Sequence, residues 1–103
     1  MIRSKALRDS AKGQNCTLQI VSACNYNPET VVLCHFPHES HGMAQKSTDL
    51  SSGYGCSGCH DAIDNRSKSG LSEEDREFYM RRSQIRTWEK FVELGLVTVK
   101  GVK

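Results

Sequence analysis

The stretch VVLCHFPHESHGMAQKSTDLSSGYGCSGCHDAID, residues 31–64, carries a strand signal, a long polar connection and a Cys-x2-Cys-His motif, in that order. Thr30, Val31 and Val32 favour extended chain. Glu29–Phe36 therefore reads as a strand, which Pro37 ends. Alternation puts Val31, Leu33 and His35 on one face and Val32, Cys34 and Phe36 on the other. Residues 38–55 contain His38, His41, Lys46, Asp49, Gly53 and Gly55 and little that is apolar, so they read as a loop. A loop of this length inside a small domain is usually functional. Cys56-Ser-Gly-Cys59 opens as a tight thiol turn and runs into a short helix ending near Arg66. His60 and Asp64 then fall at i and i+4 on one helix face.

Upstream, Cys16 and Cys24 flank the β-prone segment TLQIVSA, which is expected to place both thiols near the ends of a short ribbon. Asn25-Tyr26-Asn27-Pro28 is a turn signal. Cys-x2-Cys suits a tetrahedral ion because two thiolates on one turn can share it. Cys16, Cys24, Cys56 and Cys59 together form a candidate structural zinc site with no open position. Buried free cysteines, or a redox Cys-x2-Cys, are the alternatives. Cys34 is the odd thiol, an ordinary half-buried cysteine beside His35.

Composition favours the metal. The 103 residues are 37% apolar and 25% charged, with a mean hydropathy of −0.55. That is enough for one domain with a thin core, and such domains commonly need a metal or disulfides. Five cysteines, an odd number, argue against a fully paired disulfide framework. No secretory leader and no membrane-spanning run is visible, so a reducing cytosol is expected, where clustered cysteines more often bind zinc. A net charge of +2 and a pI near 8.3 permit nucleic-acid binding without demanding it.

The flanks are expected to carry the grip. Residues 1–15 hold Arg3, Lys5, Arg8 and Lys12 against Asp9, either a solvated terminus or a basic arm for phosphates. Ser72–Leu94 reads as a long helix with Ser72 as N-cap, Asp75 at N3 and acids in the first turn. Its apolar stripe, Phe78, Ile85, Trp88 and Val92, is expected to pack on the core or on a second subunit of a homodimer. Arg81, Arg82, Arg86 and Lys90 lie off that stripe, Gly95 is a C′ stop, and Leu96–Val99 reads as a short terminal strand.

Phosphodiester hydrolysis needs a base for water and a cation at the scissile phosphate. Histidine suits the first task because the residue type titrates near neutrality. An imidazole and a carboxylate one turn apart suit the second, holding Mg²⁺ or Mn²⁺ with water positions free. His35 is thus a candidate base, and His60 with Asp64 a candidate ion site. A satisfied strand histidine at His35, and a zinc-ligating His60, are the competing readings. His38 and His41 continue an H-x2-H-x2-H spacing from His35, but Pro37 interrupts a helix there, so they read as loop histidines.

The order strand-histidine, loop, Asp-Leu, Cys-x2-Cys-His resembles the HNH (ββα-metal) endonucleases. More closely, CNYNPETVVLCHF and GCSGCHDAID resemble the small prophage-encoded nucleases of the YbcO type. The likeness covers about residues 13–66, with a weaker echo in the C-terminal helix and Gly95-Leu96-Val97. It implies an α+β fold: a zinc-stapled, HNH/treble-clef-like ββα-metal core with a long C-terminal helix. On this reading a basic arm spans residues 1–15 and one zinc-containing domain spans residues 16–103. His35 falls where the family carries its general base and His60 on the final metal-binding histidine. Asp49 falls where HNH proteins usually carry an Asn, and Cys34 where many carry a metal-binding His or Asp. The implied function is metal-dependent hydrolysis of DNA in phage recombination or DNA processing. A non-catalytic zinc module that binds nucleic acid, or a protein–protein adaptor, is the alternative.

Overall fold

In the computed structural model the chain is described over residues 1–37, 48–64 and 70–102. It is a small α+β protein. Among the described residues it has helix α1 (Lys5–Asp9), strands β1 (Val32–His35) and β2 (Ser52–Gly55), and helices α2 (Ser57–Ile63) and α3 (Glu73–Glu93). A 3-10 turn, Pro28–Thr30, leads into β1.

The two strands form one antiparallel ribbon, with Val32 opposite Gly55, Leu33 opposite Tyr54, Cys34 opposite Gly53 and His35 opposite Ser52. β1 is shorter than expected because Asn27 caps the 3-10 turn, its side chain accepting from Glu29 N–H at 3.0 Å. β2 lies inside the stretch expected as loop. Ser-Gly-Tyr-Gly has little intrinsic strand preference; pairing with β1 holds it extended. The connection between the strands includes residues 38–47, outside the described residues, and His38 and His41 lie there.

β2 is sandwiched between β1 and α3, and its free edge explains which way α3 turns. Tyr54 N–H donates to Thr87 Oγ1 at 3.0 Å, and the Tyr54 carbonyl accepts from Thr17 N–H at 2.8 Å and Thr17 Oγ1 at 2.9 Å. Thr17 Oγ1 also lies 2.6 Å from Ser83 Oγ. Buried backbone groups need such partners. α3 accordingly turns Met80, Ser83, Thr87 and Phe91 inward. Packing of the expected stripe on the core is corrected: Phe78 (58%), Ile85 (52%) and Trp88 (43%) are exposed, and Val92 is half-buried. Gly53 has a matching role, since a Cβ there would collide with Ser83 Oγ.

The ends of α3 follow the sequence closely. Ser72 Oγ accepts from Asp75 N–H at 3.0 Å. At the other end Leu96 N–H donates to Phe91 O at 2.8 Å and Gly95 N–H to Val92 O at 3.0 Å, with Gly95 at φ +76°. That is the Schellman closure that a C′ glycine permits. It turns the chain, and residues 96–99 form no strand.

Two further expectations are corrected. Residues 17–22 form no ribbon; they are an irregular loop with Gln19 (φ +48°) and Ser22 (φ +69°) in the left-handed region. Residues 4–11 are not a loose tail: α1 packs on β1, with Leu7 and Ala11 buried in the core.

Candidate functional site

Four thiols converge between the 16–24 loop and the start of α2. The Sγ atoms of Cys16, Cys24, Cys56 and Cys59 all lie within 4.8 Å of one another. Tetrahedral zinc with Zn–S bonds near 2.3 Å puts its sulfurs about 3.8 Å apart; Cys24 and Cys56 Sγ are 3.8 Å apart. The surrounding backbone points donors at the sulfurs: Cys56 N–H to Cys16 (3.3 Å), Ile20 N–H to Cys59 (3.3 Å), Asn25 N–H and Cys59 N–H to Cys56 (both 3.4 Å). The left-handed residues Gln19 and Tyr26 sit in the two turns that follow Cys16 and Cys24. Non-glycine residues persist in that conformation only where the surroundings impose it. Gly58 lets the two halves approach, since a Cβ there would strike the Ala23 carbonyl.

The protons on this shell are unequal. A hydrogen bond from Cys59 draws the Cys16 thiol down to about 4. The same contact pushes Cys59 far up, and burial lifts Cys24 to about 11. Four thiolates this close need a cation to neutralise them, so the donor set could hold a metal ion such as zinc. Cys34 stands apart. It is buried, its thiol is pushed well up by burial, and its Sγ faces the Val32 and Gly55 carbonyls.

The second constellation lies at the far end of β1. His35 is exposed on the strand and its Nε2 is 2.7 Å from Oδ1 of Asp49. Asp49 is fully buried. Its other oxygen accepts from Ser4 N–H at 2.6 Å and Arg8 Nη1 at 2.9 Å. Burial opposes the charge, but the bonds from His35 and Ser4, with the charges of His35 and Arg8, hold the carboxyl below its usual value. An ionised Asp49 accepts only, so Nε2 carries the proton and in the neutral ring the lone pair lies on Nδ1.

His60 Nε2 on α2 and Oδ2 of Asp64, the C-cap of that helix, are 3.4 Å apart, both residues partly exposed. His60 is not among the four sulfur-bearing groups that cluster. Asp64 lies near enough to β1 for its charge to oppose ionisation of Cys34.

The basic residues divide. Arg8 is held on Asp49, and Arg82 donates to the Leu18 carbonyl at 2.8 Å while its guanidinium stacks 5.2 Å from the rings of Phe78 and Tyr79. Both were expected at phosphates; both are engaged within the fold. Lys5 pairs with Asp9 at 2.7 Å on the surface, and Arg86 reaches Gln19 Oε1 at 3.4 Å. Arg3, Lys12 and Arg81 are exposed. No spacing rule could have joined Ser4 and Arg8 to Asp49, since the contacts span 45 and 41 residues.

Both the sequence and the fold have known relatives. Two curated relatives, "Putative nuclease YbcO" of Escherichia coli (strain K12) and "Putative nuclease ybcO" of Enterobacteria phage 82, are each 39% identical over 83 residues, covering 77% of this chain and 86% of the relative. A solved structure, described as that of "a putative bacteriophage protein" from Escherichia coli K-12, superposes with a TM-score of 0.72 at 31% identity, covering 87% of this chain and all of that one. The family model described as "Putative nuclease YbcO" matches residues 5–96, and the chain belongs to that family.

Proposed function

We propose that this protein is a metal-dependent endonuclease that hydrolyses DNA phosphodiester bonds in phage or prophage DNA recombination or processing. The observation that carries the reading is the buried, ionised Asp49 bound to the exposed imidazole of His35. A buried carboxylate fixes the ring and stabilises the imidazolium that forms when the ring takes a proton. Nδ1 of His35 takes the proton from the attacking water. The strand–strand–helix order β1, β2, α2 beside a four-thiol cluster supports an HNH-like ββα-metal core.

His60 and Asp64 would hold the catalytic ion, Mg²⁺ or Mn²⁺. One nitrogen and one carboxylate oxygen, partly exposed, suit a hard cation that keeps several waters. That ion supplies charge stabilisation at the scissile phosphate. Cys16, Cys24, Cys56 and Cys59 would hold Zn²⁺ as a structural ion. Arg3, Lys5 and Lys12 on the basic arm, with Arg81 and Arg86 on α3, contact DNA phosphates. The outward stripe of Phe78, Ile85 and Trp88 is the face on which two copies would meet as a homodimer.

The test is cleavage of linear, nicked and branched DNA with and without Mg²⁺ or Mn²⁺. Metal-dependent cleavage that His35→Ala abolishes supports the enzyme. Salt-sensitive DNA binding with no cleavage under any metal would leave the zinc-stapled nucleic-acid-binding module.

A further inference from the structure

The two oxygens of Asp49 serve different parts of the chain. Oδ1 meets His35 at 2.7 Å; Oδ2 takes both Ser4 N–H at 2.6 Å and Arg8 Nη1 at 2.9 Å. The backbone closes the same clamp: Ile2 N–H donates to Thr48 Oγ1 at 2.9 Å, and Asp49 N–H donates to Ile2 O at 2.8 Å. Residues 2–8 therefore build the wall behind the His35–Asp49 pair.

We infer that Arg8 is a positioning residue: through Asp49 it fixes the imidazole of His35 and moderates its basicity. The inference rests on the reading of His35 as general base. Arg8 is permanently charged, and it shares a single carboxylate with His35. Part of the field that would stabilise a protonated ring is thereby taken up. With Arg8 removed, the full charge of Asp49 faces the ring, which then holds its proton to higher pH. Asp49 also loses one of the two donors that keep its second oxygen in place, so the ring loses its fixed orientation.

Among the described residues, the other groups near this pair leave Arg8 as the cation to test. Across the ribbon His35 faces the uncharged Ser52. α3 presents the neutral Gln84 and Trp88 to the Leu50 carbonyl. From α2 the charge of Asp64 reaches the neighbouring Cys34. Lys5 on α1 is paired with Asp9 at the surface.

The experiment uses the full-length, zinc-loaded chain as wild type, Arg8→Gln, Arg8→Met and Arg8→Lys. The methionine variant keeps the apolar stem if the glutamine variant does not fold. The His35 ring is titrated by NMR with ¹⁵N-labelled histidine, its signal being the one missing from His35→Ala. The midpoint should rise by about 0.5 pH unit or more in Arg8→Gln and Arg8→Met and stay close to wild type in Arg8→Lys. In cleavage, the acid limb of kcat should move up with it, while KM and the salt dependence of DNA binding hold. An unmoved midpoint in folded variants overturns the inference. If DNA affinity then also falls and its salt slope loses about one charge, Arg8 is a phosphate contact instead. A shifted midpoint in a chain that cleaves no DNA keeps the Arg8 coupling and removes the nuclease reading.

Discussion

At the scale of single residues, Asp49 decides what the histidine next to it can do. A carboxylate with no access to water is unfavourable unless every oxygen is bonded, and here three donors meet it. His35→Ala should cost about two to four orders of magnitude in cleavage rate, the usual worth of a positioned acid–base group, with zinc content and DNA affinity near wild type. Asp49 also sets a pH dependence. Its folded carboxyl lies below the ordinary value of 3.8, so it stabilises the fold fully above that value. The contribution is lost as pH falls from there through the lower folded value. Asp49→Asn should lower stability at neutral pH by about 1–3 kcal/mol and flatten the loss of stability below about pH 4. Unfolding midpoints of both proteins from pH 7 to pH 3 measure this; parallel curves would show that Asp49 does not titrate with folding.

At the scale of elements, α3 shows what periodicity alone can and cannot reveal. Its caps were legible because capping is local: Ser72 meets Asp75, and Gly95 closes on Val92. So were the Pro28 turn, the heart of β1 and the pairing of His60 with Asp64 one helical turn away. Which face of α3 is buried was not legible, because hydrophobicity pointed to Phe78 and Ile85 while the free edge of β2 required hydroxyls. β2 was hidden for a related reason, as Ser-Gly-Tyr-Gly is extended by its neighbours and not by its own preference. The Ser4 and Arg8 contacts to Asp49 are likewise products of tertiary folding. The energetic consequence runs against the sequence pattern. Thr87→Val removes the acceptor for the buried Tyr54 N–H and should cost about 1–3 kcal/mol. Ile85→Ser, on the exposed face, should stay within about 0.5 kcal/mol in the monomer. Urea unfolding of dilute protein compares them directly, and a larger loss for Ile85→Ser would mean that the outward stripe is covered.

At the scale of the whole molecule, the four thiols tie together parts of the chain that share little other regular structure. The 16–24 loop has no strand or helix of its own, and it contributes Leu18 and Ile20 to the core. It is fastened to α2 at Cys56 and Cys59, while Thr17 joins it to β2 and α3. With no metal bound, the close sulfurs no longer all carry charge: Cys24 and Cys59 keep their protons while Cys16 is drawn down, and the Ile20 N–H aimed at Cys59 loses a charged acceptor. The turns after Cys16 and Cys24 then have little reason to keep Gln19 and Tyr26 in the left-handed region. Binding of one zinc per chain should therefore be inseparable from folding, with a free energy on the order of 10 kcal/mol at neutral pH. Elemental analysis should find one zinc per chain in wild type and in His60→Ala, because His60 lies outside the sulfur cluster, and should find it lost in Cys59→Ser. Chelation should convert the cooperative unfolding of the loaded protein into a broad or absent transition. Acid should mimic the chelator, since thiolates compete with protons for the metal. A zinc-free preparation that unfolds as cooperatively and at the same midpoint as the loaded one would show that the thin core suffices, and the cluster would then be four neighbouring thiols and nothing more.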